Sequence, residues 1–234
     1  MLRRTRKDCK PLPTPLPQTR GIILSVVLLA MSSGMVDAVV YILHGGVFAY
    51  AMTGNLVLLG VSIATLKTGE VFRHLVPLLG FAAGVLAGKS MLRWRRPDVI
   101  PITILLQVAV LLLAGFFADR VPSNTLVITL STTGGMLITV LRKVGDIPFN
   151  ITFMTGNLRS VIDGAFDVAL PPDSSVALRG ASQFKIVGLT CAGFLIGAVL
   201  GAGAAHGLQN RTFWIAALLF VISGFLLRRT YSEL

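Results

Sequence analysis

The pentapeptide Met-Thr-Gly-Asn-Leu occurs twice in this chain of 234 residues, at 52–56 and again 102 positions later at 154–158. Five identical residues in a row, both copies in apolar surroundings, are hard to attribute to chance. A second pair of similar segments, 82–88 and 191–197, lines up at a shift of 109. Two related units therefore make up most of the chain.

Composition places both units in a membrane. Hydrophobic residues make up 54% of the chain and charged residues 13%, and the mean hydropathy is +0.79. Soluble domains carry about 25% charged residues. The net charge of +11 would suggest a nucleic-acid partner for a soluble chain, but these basic residues lie between apolar runs and form no basic face with interleaved aromatics. We therefore expect a lipid bilayer as partner, and no nucleic acid.

The first 20 residues differ from the rest. Residues 1–20 are basic and Pro-rich, and 11–17 is typical of an extended polyproline segment. The apolar run 22–43 is too long for the core of a signal peptide, so it predicts a retained first span that keeps the tail in the cytoplasm. The remainder is predicted to form one transmembrane domain, with a first repeat half over 21–120 and a second over 121–230.

The number of membrane spans depends on the two segments that contain the repeated pentapeptide. The chain has about eight apolar runs near the length of about 20 residues that a helix needs to cross the hydrocarbon. If these two segments dip into the membrane and return, six spans remain, and 17 of the 21 Lys and Arg residues lie on the inner side. With eight spans the inner side holds about 14 of them. The positive-inside rule favours six spans, and eight stays open.

Six spans give three to each half, and an odd number inverts the second half in the membrane. The predicted fold class is an all-α integral membrane protein of about six transmembrane helices in two tandem, inverted repeats. Each repeat carries a membrane-dipping or broken-helix Met-Thr-Gly-Asn segment. The two segments would enter from opposite faces and approach each other near the midplane, where irregular backbone survives only inside protein or beside water.

The polar residues of the two motif copies are the predicted binding site for a small solute or ion. They are Thr53, Gly54 and Asn55 in the first copy and Thr155, Gly156 and Asn157 in the second. Glycine allows a break in the helix, while Thr and Asn side chains can hydrogen-bond a solute or freed backbone groups. The alternative is a packing patch, in which small residues let helices approach and Asn joins them.

Asp37 lies inside the first apolar run, where an acid costs about 2.5–3.5 kcal/mol near the bilayer centre and must face protein or water. Tyr41 and His44 follow on the same helical face. This spacing predicts a group of three residues that couples a proton or ion to transport. The alternative is that Asp37 is a structural acid, hydrogen-bonded near the start of the interrupted helix at Met52.

Glycines recur every four residues in two rows. The rows are Gly80, Gly84 and Gly88, and Gly193, Gly197 and Gly201. Each row lines one helix face and lets another backbone approach closely, so we predict a helix-packing role. The expected partner of each row is the other row. The same faces could also join two copies of the chain in a homodimer.

Two blocks of the chain resemble a known family. The run Gly-Met-Val-Asp-Ala at 34–38, then Phe48 and the first Met-Thr-Gly-Asn, together with Asn-Ile-Thr-Phe-Met-Thr-Gly-Asn at 150–157, resembles the signature of the YoaK-like bacterial inner-membrane proteins. The resemblance covers about 20–230. It implies a multi-pass protein of the bacterial inner membrane with about six spans. With the tail inside, six spans put both termini in the cytoplasm. The family's function is unknown, and no catalytic residue carries over.

Nothing in the sequence indicates an enzyme, a metal site or a cofactor. The three histidines, His44, His74 and His206, are scattered, and none has the spacing of a metal-ligand pair. Catalytic sites need clustered nucleophiles, acids or bases, which the chain lacks. The predicted function is a small-solute or ion transporter with proton coupling through Asp37. The alternative is a non-catalytic scaffold or helper subunit held by the glycine rows.

Overall fold

The computed structural model describes residues 19–94, 98–141, 143–144, 147–148 and 153–232. The eight α-helices in these ranges are α1 (Thr19–Leu43), α2 (Met52–Ala64), α3 (Thr68–Arg93), α4 (Val99–Phe117), α5 (Ser123–Val140), α6 (Met154–Ala169), α7 (Ser174–Leu208) and α8 (Thr212–Ser232). The prediction of a helical protein is confirmed. A two-residue antiparallel pair, β1 (Lys143–Val144) with β2 (Ile147–Pro148), was not expected. The predicted tail lies outside the described residues as far as residue 18.

Among the described residues, four helical stretches are long and apolar enough to cross a membrane. They are Arg20–Leu43, Thr68–Arg93, Val99–Arg120 and Ser174–Arg228. The last stretch contains two α-helices, α7 and α8, joined by a 3-10 turn at Gln209–Arg211. These lengths and this apolar character support a membrane protein.

Helices α2 and α6 are shorter, with 13 and 16 residues. At a rise of 1.5 Å per residue they extend about 20 and 24 Å, less than the hydrocarbon thickness of about 30 Å. Both Met-Thr-Gly-Asn copies form the first turn of these helices. The expectation that Gly54 breaks a helix is therefore wrong. The break precedes the first copy, where Gly45 and Gly46 have φ values of +90° and +72° that favour glycine.

The start of α7 follows from its sequence. Asp173 precedes the helix, and its carboxylate accepts hydrogen bonds from the backbone N–H groups of Ser175 and Val176 at 2.8 and 3.0 Å. A capping carboxylate satisfies donors that the first helical turn leaves without partners. These bonds fix the point at which the chain turns from α6 into the longest helix of the structure.

Each half of the chain contributes a helix to the other half. Helix α1 packs along α7, and α5 packs along α3. The short helices stay within their own halves, α2 against α3 and α6 against α7. Helices α4 and α8 contact each other, and they also contact α5 and α1, respectively. The two halves therefore interlock instead of forming separate bundles.

The glycine rows lie at the two interlocking contacts. Along α3, Gly80, Gly84 and Gly88 meet α5 at Ile128, Thr132 and Met136; along α7, Gly193, Gly197 and Gly201 meet α1 at Val27, Met31 and Met35. A Cβ atom at Gly80 would lie 2.7 Å from the Ile128 carbonyl oxygen, so the backbones are in direct contact. The expectation that the two rows pack on each other is wrong. Each row instead meets a helix of the other half. These partner helices, α5 and α1, carry glycines of their own, Gly135 and Gly34, which face α3 and α7, respectively.

Candidate functional site

A cavity of about 300 Å³ lies between the two Met-Thr-Gly-Asn copies. The first copy contributes Met52, Thr53 and Gly54 to its lining, and the second contributes Met154 and Thr155. The two motifs, 102 positions apart in the sequence, thus line one space.

The remaining walls of the cavity are mostly apolar. Phe81 and Phe194 line it from near the middle of α3 and α7, and Phe153 and Ile138 add further apolar surface. Tyr50 lines it from the segment that precedes α2. An apolar cavity with a few polar groups is the usual form of a site for a small molecule. The position of Phe81 and Phe194 puts the cavity at mid-depth of the two longest helices.

Two helices begin at this cavity. The N-cap residues of α2 and α6, Ala51 and Phe153, make no side-chain capping hydrogen bond. In the first turn of α2 the N–H groups of Met52 and Gly54 donate to the carbonyl oxygens of Tyr50 and Ala51. The start of each helix still carries the partial positive charge that favours anions or acceptor atoms. The threonine hydroxyls of Thr53 and Thr155 stand at the same place, on side chains that are exposed. The cavity therefore offers donors to a small solute with negative charge or acceptor oxygens.

Asn55 is placed differently from the expectation. Its Oδ1 accepts the Phe48 N–H at 2.9 Å, and its Nδ2 donates to the Phe48 carbonyl oxygen at 2.7 Å. The side chain is fully buried, and it holds the segment before α2 onto the first turn of that helix. Asn157 is likewise buried, and neither residue is in the cavity lining. The predicted contact of these two amides with a solute is thus replaced, for Asn55, by a structural role.

The motif glycines make room for aromatic rings. A Cβ atom at Gly54 would lie 2.7 Å from the Phe48 ring, and one at Gly156 would lie 2.5 Å from the Phe153 ring. Real Cβ atoms do not approach this closely, so any side chain would displace the rings. In each motif the glycine therefore leaves room for an aromatic ring against the first turn of the helix, and the threonine lines the cavity.

Asp37 is buried behind the cavity wall, with 4% of its surface exposed. Its Oδ1 accepts the backbone N–H of Tyr50 at 2.8 Å, and the Tyr50 hydroxyl accepts a hydrogen bond from Gln107 Nε2 at 2.6 Å. Asp37 Oδ2 and Gln107 Oε1 are buried with no hydrogen-bond partner among the described residues. Buried polar atoms are normally paired. Asp37 Oδ2 and Gln107 Oε1 are therefore two buried acceptor atoms that remain available for a hydrogen bond.

Tyr50 and Gln107 were not among the predicted site residues. Gln107 lies in the apolar run that becomes α4 and, like Asp37, is a polar group inside a span that needs a special environment. Tyr50 gave no comparable signal, because it lies between two helices and its role depends on contacts with both Asp37 and Gln107. Across the described chain no three His, Cys, Asp or Glu side chains are grouped to hold a metal ion.

The three residues expected to form a proton relay are not joined. Tyr41 is 46% exposed, and its ring stacks on Phe48 with 5.0 Å between centroids. Asp37 is hydrogen-bonded to Tyr50 and His44 to other residues. The expected relay through Tyr41 is therefore wrong as a continuous hydrogen-bonded path. Equal spacing on one helical face does not bring side chains together when each has a nearer partner.

His44 belongs instead to a polar network at one end of the bundle. Asn210 Nδ2 donates to Asp119 Oδ1 at 2.7 Å, which leaves Asn210 Oδ1 to accept from His44 Nε2 at 2.8 Å. The other ring nitrogen, Nδ1, lies 3.3 Å from the Ser123 hydroxyl. This arrangement requires a proton on Nε2, while Nδ1 can accept from the Ser123 hydroxyl in the neutral ring. The network ties the end of α1 to the α4–α5 and α7–α8 connections.

Acid should destabilise the folded chain through His44. Burial lowers its pKa below the ordinary value of 6.5, and the hydrogen bond with Asn210 and the charge of Asp119 oppose this effect only in part. As pH falls below about 6.5, His44 becomes protonated in the unfolded chain at a higher pH than in the folded chain. The free energy of unfolding therefore decreases. The stabilisation is complete above that pH and is lost as pH falls through the lower pKa of the folded state. Melting temperatures measured between pH 8 and pH 5 should show this decrease.

The matched variant is His44→Gln, which keeps an amide donor for Asn210 but does not titrate in this range. Its melting temperature should fall less than that of the wild-type protein over the same pH interval. Identical pH profiles for the two proteins would show that His44 does not limit stability in acid.

Comparison with known proteins agrees with the membrane character of the chain. Residues 25–226 match the model of a family described as "Protein of unknown function (DUF1275)". The chain is also similar to the UPF0700 transmembrane protein YoaK of Bacillus subtilis (strain 168), with 32% identity over 153 residues. That match covers 62% of this chain and 66% of the relative, so the chain spans just under two thirds of the relative's length. No solved structure matches the chain.

Proposed function

Starting from the fact that this chain is a membrane protein of the DUF1275 family, we propose that it carries a small solute or ion across a membrane. The family is one of unknown function, so the proposal rests on the chain's own geometry. We place the protein in the bacterial inner membrane with both termini in the cytoplasm. We propose no enzymatic activity and no cofactor.

One observation supports this proposal above the others: the two identical motifs line a single cavity at mid-depth of α3 and α7. In many transporters the substrate meets the N-termini of interrupted helices at the interface between two repeats near the midplane. Here α2 and α6 begin at the cavity, and their N-cap residues, Ala51 and Phe153, make no side-chain capping hydrogen bond. A small anion, or a solute with an acidic group, suits these donors best.

We further propose six spans, formed by α1, α3, α4, α5, α7 and α8, in two inverted halves that divide near residue 120. The hydrogen bonds of His44 support this topology, because they bring together the end of α1 and the α4–α5 and α7–α8 connections. Six spans with the N-terminus inside put all three at the outer face. Helices α2 and α6 would then run from the cavity to opposite faces of the membrane.

Labelling of single cysteines in intact cells tests this topology. Cys9 and Cys191 would first be replaced by serine, and Gly69→Cys and Trp94→Cys introduced separately. Both positions are exposed in the structure, so labelling reports the side of the membrane. With six spans an impermeant maleimide labels position 69 and reaches 94 only after the membrane is opened. The reverse pattern would establish eight spans and parallel halves, and would remove the argument from facing helix ends.

Asp37 is the group we propose for proton coupling. It lies behind Tyr50, which lines the cavity, and its Oδ2 has no hydrogen-bond partner among the described residues. A carboxyl oxygen in this position can gain or release a proton without breaking the bond that Oδ1 makes with Tyr50. A change at Oδ2 would be transmitted to the cavity wall through the backbone of Tyr50.

The threonine hydroxyls provide the test of the solute site. Thr53→Val together with Thr155→Val removes two hydroxyl groups and keeps the side-chain shape. A panel of small carboxylates, inorganic anions and neutral polyols would be screened for compounds that raise the melting temperature of the purified protein. We expect the double variant to bind such a compound about tenfold more weakly, as is usual for losing hydrogen bonds to a charged group. Thr129→Val, which changes an exposed hydroxyl bonded within α5, is the control.

Uptake into proteoliposomes then separates binding from coupling. Asp37→Asn should retain binding of the compound but lose the dependence of its uptake on a proton gradient. If the double threonine variant binds as well as Thr129→Val, the cavity is not the solute site. Equal uptake by wild-type protein and protein-free vesicles would reject transport of that compound.

The scaffold alternative has less support. It relied on the glycine rows as faces for a partner helix or a second copy of the chain. Both rows are already covered by α5 and α1 of the same chain, and a partner would have to displace these helices. The rows therefore support the fold of the chain itself.

A further inference from the structure

A second and larger cavity lies away from the motif residues. It is a groove of about 770 Å³ between α4 and α8, lined along α4 by residues that include Ile104, Leu105 and Val108. Val221 and Phe225 are among those that line it from α8. Both helices belong to stretches that are long and apolar enough to cross a membrane. The groove is therefore mostly apolar and runs along the direction of the spans.

Two opposite charges stand in the lining of this groove. Asp98 directly precedes α4, and Arg228 lies in the last two turns of α8, so both are at the same end. Both side chains are exposed, and within the described chain neither forms an ion pair or a hydrogen bond. An apolar groove with a cation and an anion at one end matches an amphiphile whose head group carries both charges. The proposed topology puts this end at the cytoplasmic face.

We propose that the groove binds one phospholipid that has a phosphate and a primary ammonium in its head group, as in phosphatidylethanolamine. Arg228 pairs with the phosphate, since a guanidinium can donate two parallel hydrogen bonds to its oxygens. Asp98 accepts hydrogen bonds from the ammonium. An acyl chain occupies the apolar length of the groove between α4 and α8, where burial of each methylene group favours binding. This site does not depend on the transport proposal.

Native mass spectrometry of the purified, delipidated protein tests the site. Phosphatidylethanolamine, phosphatidylcholine and phosphatidylglycerol with identical acyl chains would be added back one at a time. We expect one tightly retained phosphatidylethanolamine. The other two should be retained less, because a quaternary ammonium has no N–H donor for Asp98 and a glycerol head group has no cation. Arg228→Gln should weaken retention of all three lipids about tenfold, the usual loss for a hydrogen bond to a charged group.

Asp98→Asn has a different expected effect, which identifies the ammonium contact: it should remove the preference for phosphatidylethanolamine over phosphatidylglycerol. Val221→Trp fills the groove from α8 and should reduce retention of every lipid without changing a charge. Arg211→Gln, at an exposed arginine near the opposite end of α8, is the control and should bind like the wild-type protein.

Two results would overturn the proposal. One is equal lipid retention by the wild-type protein, Arg228→Gln and Val221→Trp when all three melt at the same temperature. The other is a dimer in the lipid-free protein that Val221→Trp dissociates, because a second copy of the chain would then cover the groove. The melting temperature also shows whether a variant that loses lipid has simply unfolded.

Discussion

Gly197→Ala should destabilise the folded chain by about 3 kcal/mol, at the upper end of the usual cost of overpacking. The new methyl group would overlap the carbonyl group of Met31 in α1. This obstacle is backbone, so no side chain can rotate away from it. The two helices must separate, and the neighbouring contacts at Gly193 and Gly201 would open with them. The measurement is the melting temperature in detergent, together with the fraction of protein that elutes as a single species.

Gly203→Ala is the matched control. It lies in the same helix, and a Cβ atom there meets nothing within 4 Å. Alanine is the better helix former by about 1 kcal/mol, so this variant should equal or exceed the wild-type stability. If both variants melted alike, α1 and α7 would not be in backbone contact in the membrane protein, and the interlocked arrangement would be incorrect.

Asn55→Ala should cost about 2 kcal/mol, because it leaves the N–H and C=O groups of Phe48 without the partners they have in the folded chain. The segment that carries Tyr50 toward Asp37 would lose its attachment to α2. We therefore expect a lower melting temperature and, in a transport assay, a loss of activity that follows from the loosened cavity wall.

Asn124→Ala serves as the reference for this variant. Asn124 lies in the first turn of α5, and its side chain makes no hydrogen bond within the described residues. It should melt within a few tenths of a kcal/mol of the wild-type protein. Asn55 is therefore unsuitable as a test of the solute site. Loss of activity in Asn55→Ala does not distinguish a solute ligand from a structural residue, whereas the hydroxyls of Thr53 and Thr155 can make that distinction.

The sequence predicted the meeting of the two motifs because identical residues at Met52–Thr53 and Met154–Thr155 indicated equivalent positions in two related units. It also identified Asp37, since a carboxylate inside an apolar run needs a special environment. The partner of that carboxylate could not be predicted. Tyr50 reaches it only because the chain turns back after α1, and local sequence does not encode the path of that turn.

The glycine rows show a second limit of sequence analysis. A spacing of four residues reveals that one face of a helix is flat, but it does not reveal which helix will cover that face. It also repeats after every turn, so two rows can be aligned one turn out of register. The sequence aligned Gly84 with Gly193 at a shift of 109. In the structure the first glycine of each row that meets its partner helix is Gly80, against Ile128, and Gly193, against Val27. By their contacts Gly80 is therefore the counterpart of Gly193, at a shift of 113. Packing on α5 and α1 decides the register.

The exchange of helices between the halves has a consequence for biosynthesis. Met31 of α1 is made early, yet the backbone that covers it, at Gly197, is made 166 residues later. During that interval the face of α1 around Gly34 lacks the helix that covers it in the folded chain. The first half also waits for α5 before the row in α3 is covered. The contacts of α1 are therefore completed only after α7 has been made, and a chain that stops halfway carries two uncovered helix faces.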